Sequence, residues 1–283
     1  MKLVAFHYSG ARHAGVLTKD GVAPVEEINA RHGAKFPNDV LELIRAGARF
    51  LPVENVSPLP FAEVRLTLPY SVPPKIWCIG LNYLSHAEDI NALQPEEPGS
   101  FMKPSSCLFE PGGDIVLPPL DISNDVDAEG ELGVIIGKKC RFVPAGNVPE
   151  VIYGYTVTLD LTALDVLRKN TRYLTRAKSI DTFFSFGPVV VTSDEVSNVE
   201  SLEVITEHNG VVCSRDFVRN MRTRPFELVR FHSDFMTLEP GDLISTGCPK
   251  GARIKAGDTV GGRIPGVGAI AAKVTQGMRN PVH

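Results

Sequence analysis

Apolar stretches in this chain are cut short before they grow long, because 22 prolines and 25 glycines are spread through its 283 residues. Proline lacks a backbone donor and glycine loses the most entropy on ordering, so neither sits well inside a helix. The segments left between them are short and rich in Val, Ile and Thr, the composition of strands joined by turns. "KLVAFHY", "KIWCIGLNY", "GDIVLPP", "GELGVIIGKKC", "VIYGYTVTLDLT", "GPVVVTS", "LEVITEHNGVVCSRD", "DLISTG" and "DTVGGRIPGVGAIAAKV" all read as strands bounded by Gly, Pro or Asn-Gly. The expected class is therefore α+β and β-rich.

Helices are the minority. "PNDVLELIRAGARF" predicts one, capped by Asn38 or Asp39 and ending near Gly47. "RPFELVRFHSDFMTL" is the clearest, with Phe226, Val229 and Phe235 at helical spacing, and "SHAEDINAL" reads as a short helix or ordered loop. "LPYSVPPK", Leu68 to Lys75, holds three prolines in eight residues and reads as a connector. It divides the chain into a small N-terminal α/β module over 1–70 and a main domain over 71–283.

Charge and cysteine usage narrow the function classes. A net charge of −4 with no basic stripe argues against nucleic acid or an anionic membrane as partner. No apolar run approaches the roughly 18–20 residues that span a bilayer. The opening "MKLVAFHYSGARHAG" is too broken for a signal peptide. Five scattered cysteines, never in a CxxC spacing, fit reduced thiols in a cytoplasm and do not build a zinc site among themselves. "GVGAIA", Gly266 to Ala271, matches a dinucleotide fingerprint, but its flanks read as a hairpin and no acidic residue follows at the required distance.

Chemistry concentrates at "DAEGELGVIIGK", Asp127 to Lys138. Glu129 and Glu131 share one face of an extended chain that continues as an apolar strand. Two buried carboxylates so placed repel unless positive charge lies between them. Either the face is wet or a cation sits there. Asp160, in "GYTVTLDLTALD", is a third acid at the rim of another apolar strand, and carboxylates are what Mg²⁺ or Mn²⁺ prefer.

These residues belong to a longer ordered series: "KIWCIGLNYLSHAED", "FMKPSSCLFEPG", "DAEGELGVIIGKKC", "GYTVTLDLTALD", "RAKSIDTFFSFGPVVV" and "FMTLEPGDLISTGCPKG". The series resembles the fumarylacetoacetate hydrolase family from about Lys75 to the C-terminus. The resemblance implies a mixed β-sandwich rolled on itself, a homodimer, and Mg²⁺ or Mn²⁺ held by Glu129, Glu131 and Asp160. It further implies Lys178 as fixed positive charge beside a developing oxyanion, with Asp181 holding it. Lys103 is implied near the pocket mouth, and Thr246 with Gly247 as a cradle for a substrate carboxylate. His86 is implied as the proton-transfer group, oriented by Asp89 or Glu88, since "HAED" places Asp where the family pattern has Glu.

Other departures bear on the substrate. Leu164 and Leu167 stand where Arg and Gln are common, so a less polar distal end is expected unless Arg168, Arg172 or Lys103 compensates. Cys248 replaces a common Thr and reads as packing, with no histidine expected beside it. The function implied is metal-dependent hydrolysis of a C–C bond in a 2,4-dioxo acid of the acylpyruvate type, through a stabilised enolate. The alternatives are a decarboxylase, isomerase or dehydratase acting on a 2-oxo acid such as oxaloacetate or a 2-oxo-3-deoxy sugar acid, or a scaffold without turnover.

Overall fold

Two antiparallel strands, Val126–Ile136 and Ile152–Ala163, form the middle of the molecule and are buried at every residue. Strands covered on both faces read as near-continuous apolar runs, as both of these do apart from their acids and threonines. The computed structural model describes residues 1–89 and 93–278, with the side chain of Asp89 outside that description.

From this pair a large mixed sheet spreads in both directions. On one side lie Val189–Thr192, Lys2–Tyr8, Ala11–Leu17 and Val22–Pro24; on the other lie Leu243–Ser245, Ile76–Gly80 and Gly99–Lys103. Leu243–Ser245 runs parallel to Ile76–Gly80, and the other neighbours on this path are antiparallel. The first strand is hydrogen-bonded to Val189–Thr192, so the N-terminal segment continues the main sheet.

A second sheet, in the order Val211–Phe217, Glu203–His208, Thr259–Ile264, Gly268–Gln276 and Asp114–Leu117, packs across the central pair. The approach is closest at Gly130. A Cβ there would lie 2.9 Å from the Gly262 Cα and 3.0 Å from the Ile205 carbonyl oxygen. Gly130 N–H donates to Thr206 Oγ1 at 3.1 Å across the same gap. Because side chains alternate along a strand, seating Gly130 against the second sheet turns Glu129 and Glu131 to the opposite face. The β-rich α+β sandwich expected from the sequence is the observed architecture.

The three predicted helices fall where expected. Val40–Arg45 is capped by Asp39, whose side chain accepts from Glu42 N–H at 3.0 Å, and Gly47 follows with φ +67°. Pro225–Phe235 and Leu84–Asp89 form the other two. "GVGAIA" lies in the hairpin of Thr259–Ile264 and Gly268–Gln276, and among the described residues no helix follows it to receive a phosphate. Other helices were not announced by the sequence: Val25–His32, Val148–Val151, Leu164–Lys169 and Leu174–Lys178, the last ending at Lys178. Among the described residues no helix is long and apolar enough to cross a membrane.

Candidate active site

Strand register brings the acids together. Glu129 is paired directly with Asp160, and Glu131 with Thr158, on the two central strands. One ligand oxygen from each of Glu129, Glu131 and Asp160 lies within 4.8 Å of the others, and all three residues are buried. Octahedral Mg²⁺ or Mn²⁺ needs oxygens about 3–4 Å apart, so small side-chain rotations close these three around a cation. The donor set and its spacing fit a hard dication.

Two lysines meet the cluster. Lys178 Nζ donates to Glu129 Oε2 at 2.9 Å and to Asp160 Oδ2 at 2.8 Å, and it lies 5.0 Å from the centre of the Phe101 ring. Lys103 Nζ donates to Asp160 Oδ1, to the Leu161 carbonyl at 3.2 Å and to the Phe183 carbonyl at 2.5 Å. Burial alone would raise the Asp160 carboxyl, but Lys103 and Lys178 outweigh it and hold that carboxyl below its usual range. For Lys178, burial opposes the charge and Asp160 with Glu129 more than restore it, so the ammonium stays protonated well above its ordinary range. Glu131 receives neither lysine directly. Burial, Asp160 and Glu129 together push its carboxyl up to about 8. The cluster is short of positive charge on the Glu131 side.

Neutral groups brace Glu131. Its Oε2 accepts from Ser245 Oγ at 2.5 Å and from Gly247 N–H at 2.8 Å. Thr246 Oγ1 donates to the Leu132 carbonyl at 2.9 Å. The Thr-Gly turn expected to cradle a substrate carboxylate therefore spends these donors inside the protein, positioning Glu131. Gly247 has φ +93°, and a Cβ there would lie 2.9 Å from the Asn82 Cβ, so the position requires glycine. On the paired strand, Thr162 Oγ1 donates to Glu129 Oε1 at 3.2 Å. Asp127, on the same face as the two glutamates, is answered by Arg253 Nη1 at 2.9 Å, while burial and Glu129 push its carboxyl up to about 7.

His86, on Leu84–Asp89, reaches the cluster: its Nε2 stands 3.9 Å from Glu129 Oε1. Glu88 is exposed, and the Asp89 side chain lies outside the described residues. Several expectations need correcting. Lys103 is not at a pocket mouth; its side chain is fully buried beneath Asp160, where two carbonyls fix it. Asp181 is exposed and does not hold Lys178, because Glu129 and Asp160 do so. Arg168 pairs with Asp125 at 2.6 Å, which leaves neither it nor Lys103 to replace the missing guanidinium. Leu164 is buried and Leu167 packs against the core. Cys248 does have a histidine beside it, since its Sγ lies within 4.8 Å of a His86 ring nitrogen and a Glu129 oxygen.

Sequence reasoning missed Ser245, Thr162 and Asn82. A signal for the threonines existed: in "YTVTLDLTA" the polar residues Thr156, Thr158, Asp160 and Thr162 alternate, so all four share the Asp160 face. Asn82 carried no comparable pattern. Its amide bonds to the Thr223 and Thr246 carbonyls, contacts that exist only once the chain has folded.

Two packed sheets carry three buried carboxylates answered by two buried lysines, an arrangement of an enzyme site, and residues 75–275 match the fumarylacetoacetate (FAA) hydrolase C-terminal model. The chain belongs to the fumarylacetoacetate hydrolase family. It is 43% identical over 225 residues to an uncharacterized protein of Archaeoglobus fulgidus, covering 77% of this chain and 88% of that one. It is 34% identical to a human mitochondrial oxaloacetate tautomerase, covering 97% of this chain and 91% of the relative. Among solved structures it resembles a maleylpyruvate hydrolase from Sphingobium sp. SYK-6 in complex with manganese (II) ion and pyruvate. That likeness has a TM-score of 0.79 at 30% identity, over 98% of this chain and all (100%) of the other.

Proposed function

We propose that this chain performs enolate chemistry on a small 2-oxo acid at Glu129, Glu131 and Asp160, and that its reaction is keto–enol tautomerisation of a 2-oxo diacid of the oxaloacetate kind. The observation that carries the reading is the Lys178 ammonium between Glu129 and Asp160, at 2.9 and 2.8 Å, beside a third buried carboxylate. Three carboxylates and a lysine in a dry site form an arrangement for stabilising charge that develops on substrate oxygen. Mg²⁺ or Mn²⁺, held by the three acids, would supply a Lewis-acid charge for the carboxylate and 2-oxo oxygens.

The chain's own groups do the rest. Lys178 keeps a fixed positive charge beside the oxygen that becomes enolic. Lys103 holds Asp160 from below, and Ser245 with Gly247 holds Glu131. His86 carries a proton between C3 and the 2-oxo oxygen, from carbon to oxygen as the enol forms and from oxygen to carbon as the ketone forms, which is all that tautomerisation asks of a base. The oxaloacetate tautomerase similar over 97% of this chain supports this choice among 2-oxo acid reactions. A homodimer belongs to the same reading.

A second reading, hydrolytic C–C cleavage of a 2,4-dioxo acid, is favoured by the likeness to the maleylpyruvate hydrolase. It asks more of His86, which must then activate water. One experiment separates the two. The purified chain with Mg²⁺ or Mn²⁺ is given enol-oxaloacetate, followed by loss of enol absorbance, and separately acylpyruvates, followed by pyruvate release. Faster enol decay is expected, with kcat lowered at least about 100-fold by Glu131→Ala or Lys178→Met. Equal turnover by wild type and Glu131→Ala would end the proposal, and pyruvate release without enol decay would favour the hydrolase.

A further inference from the structure

His86, Cys248 and Glu129 form a second ligand set beside the carboxylate cluster. A ring nitrogen, the sulfur and a carboxylate oxygen all lie within 4.8 Å of one another, and all three residues are buried. The grouping has structural causes on both sides of Cys248. Ser85 Oγ donates to the Pro249 carbonyl at 2.8 Å, and Asn82 Nδ2 donates to the Thr246 carbonyl at 2.7 Å. These bonds pin the segment carrying His86 onto the turn carrying Cys248. Gly247 allows the contact, since its bare Cα faces the Asn82 Cβ.

The chemistry of this set differs from that of its neighbour. Glu129, Glu131 and Asp160 offer oxygen alone and suit a hard cation, whereas imidazole, thiolate and one carboxylate suit a thiophilic one. Ligands around tetrahedral Zn²⁺ stand about 3.5 Å apart, given Zn–S near 2.3 Å and Zn–N or Zn–O near 2.1 Å. The His86 Nε2 to Glu129 Oε1 separation is already 3.9 Å. Three protein ligands with one open position is the usual form of a zinc site that still admits another molecule.

We propose that His86, Cys248 and Glu129 bind a thiophilic divalent cation such as Zn²⁺ or Co²⁺ at a site distinct from the three-carboxylate site. The two sites share Glu129, so a cation in one draws that carboxylate from the other, and a thiophilic ion displaces the hard one. As the Cys248 sulfur–metal bond forms, the thiol proton leaves to solvent. The proposal does not depend on which reaction the family site performs, because binding is read without substrate.

The test uses the full chain in a Cys213→Ser background, which removes the exposed thiol, and titrates Co²⁺ while following the near-ultraviolet thiolate-to-cobalt charge-transfer band. The expected result is one Co²⁺ per chain with that band, its loss in Cys248→Ser, and at least about tenfold weaker Zn²⁺ competition in His86→Gln. Excess Mg²⁺ should weaken Co²⁺ binding in the parent and do so much less in Glu129→Gln. Circular dichroism confirms that each variant is folded, and His86→Gln serves if Cys248→Ser is not. A folded parent without the band, a band that survives in Cys248→Ser, or Zn²⁺ competition undiminished in His86→Gln, would overturn the assignment.

Discussion

Asp160 sits under two ammonium groups, and its partners answer different needs. Lys178 is shared with Glu129, whereas Lys103 serves Asp160 alone and is closed in by the Leu161 and Phe183 carbonyls. Removing one member of a buried pair leaves the other charge unanswered, at about 3–5 kcal/mol. Because Lys178 still answers Asp160 at 2.8 Å, Lys103→Met should lower the unfolding free energy by up to about that amount in urea titrations. A change within error would mean that Asp160 takes up a proton instead. A second acid gives a prediction in pH. Asp258 accepts from His208 Nε2, Asn209 Nδ2 and Lys255 N–H at 3.0, 3.0 and 2.9 Å. Burial opposes its charge, but the Asn209 and His208 bonds prevail and hold the carboxyl down at about 2. A folded-state value below the unfolded one, about 3.9, adds stability above that pH that is lost as pH falls through the folded value. The wild-type melting temperature should drop between about pH 4 and 2, and Asp258→Asn should start lower at pH 7 and fall less over that window. Parallel curves would show that Asp258 contributes no such linkage.

The element that decides the site is the strand Val126–Ile136, and within it Gly130 does as much as the glutamates around it. A Cβ at Gly130 would press on the Gly262 Cα at 2.9 Å and the Ile205 carbonyl at 3.0 Å, both backbone atoms of the second sheet. Gly130→Ala should destabilise the fold by about 1–3 kcal/mol, measured by denaturation, and weaken metal affinity by tilting its neighbours. Undiminished affinity would mean that the strand absorbs the methyl locally. This arrangement shows what a sequence carries and what it does not. Glu129, Glu131 and Asp160 were legible because each interrupts an apolar strand run, and strand periodicity is local. Lys103 and Asp181 were misplaced because their partners depend on register between distant strands. The Leu174–Lys178 helix is only five residues long, too brief for a periodic signal, so no helix was predicted there. Ser245 was hidden for a related reason: it meets Glu131 only because Leu243–Ser245 pairs with the strand that carries it.

On the scale of the molecule, the N-terminal residues are part of the main sheet. Met1 donates its amino group to Thr192 Oγ1 and Glu195 Oε1, each at 2.7 Å, and Lys2–Tyr8 covers the edge of Val189–Thr192. A chain begun at residue 71 would expose that apolar strand edge, a template for aggregation. It should be recovered largely in aggregates by size-exclusion chromatography, and a stable soluble product would show that 71–283 folds on its own. The connector at Leu68 to Lys75 was visible as a run of prolines, but strand pairing across it depends on contacts that no local pattern announces. The three carboxylates are buried on the face of the main sheet turned away from the second sheet, and the account rests on their binding a hard dication. Calorimetric titration of Mn²⁺ into the apo-protein tests this most directly. One Mn²⁺ per chain is expected, bound at least about tenfold more weakly by Glu131→Gln; equal binding by both proteins, or none by the wild type, would contradict it.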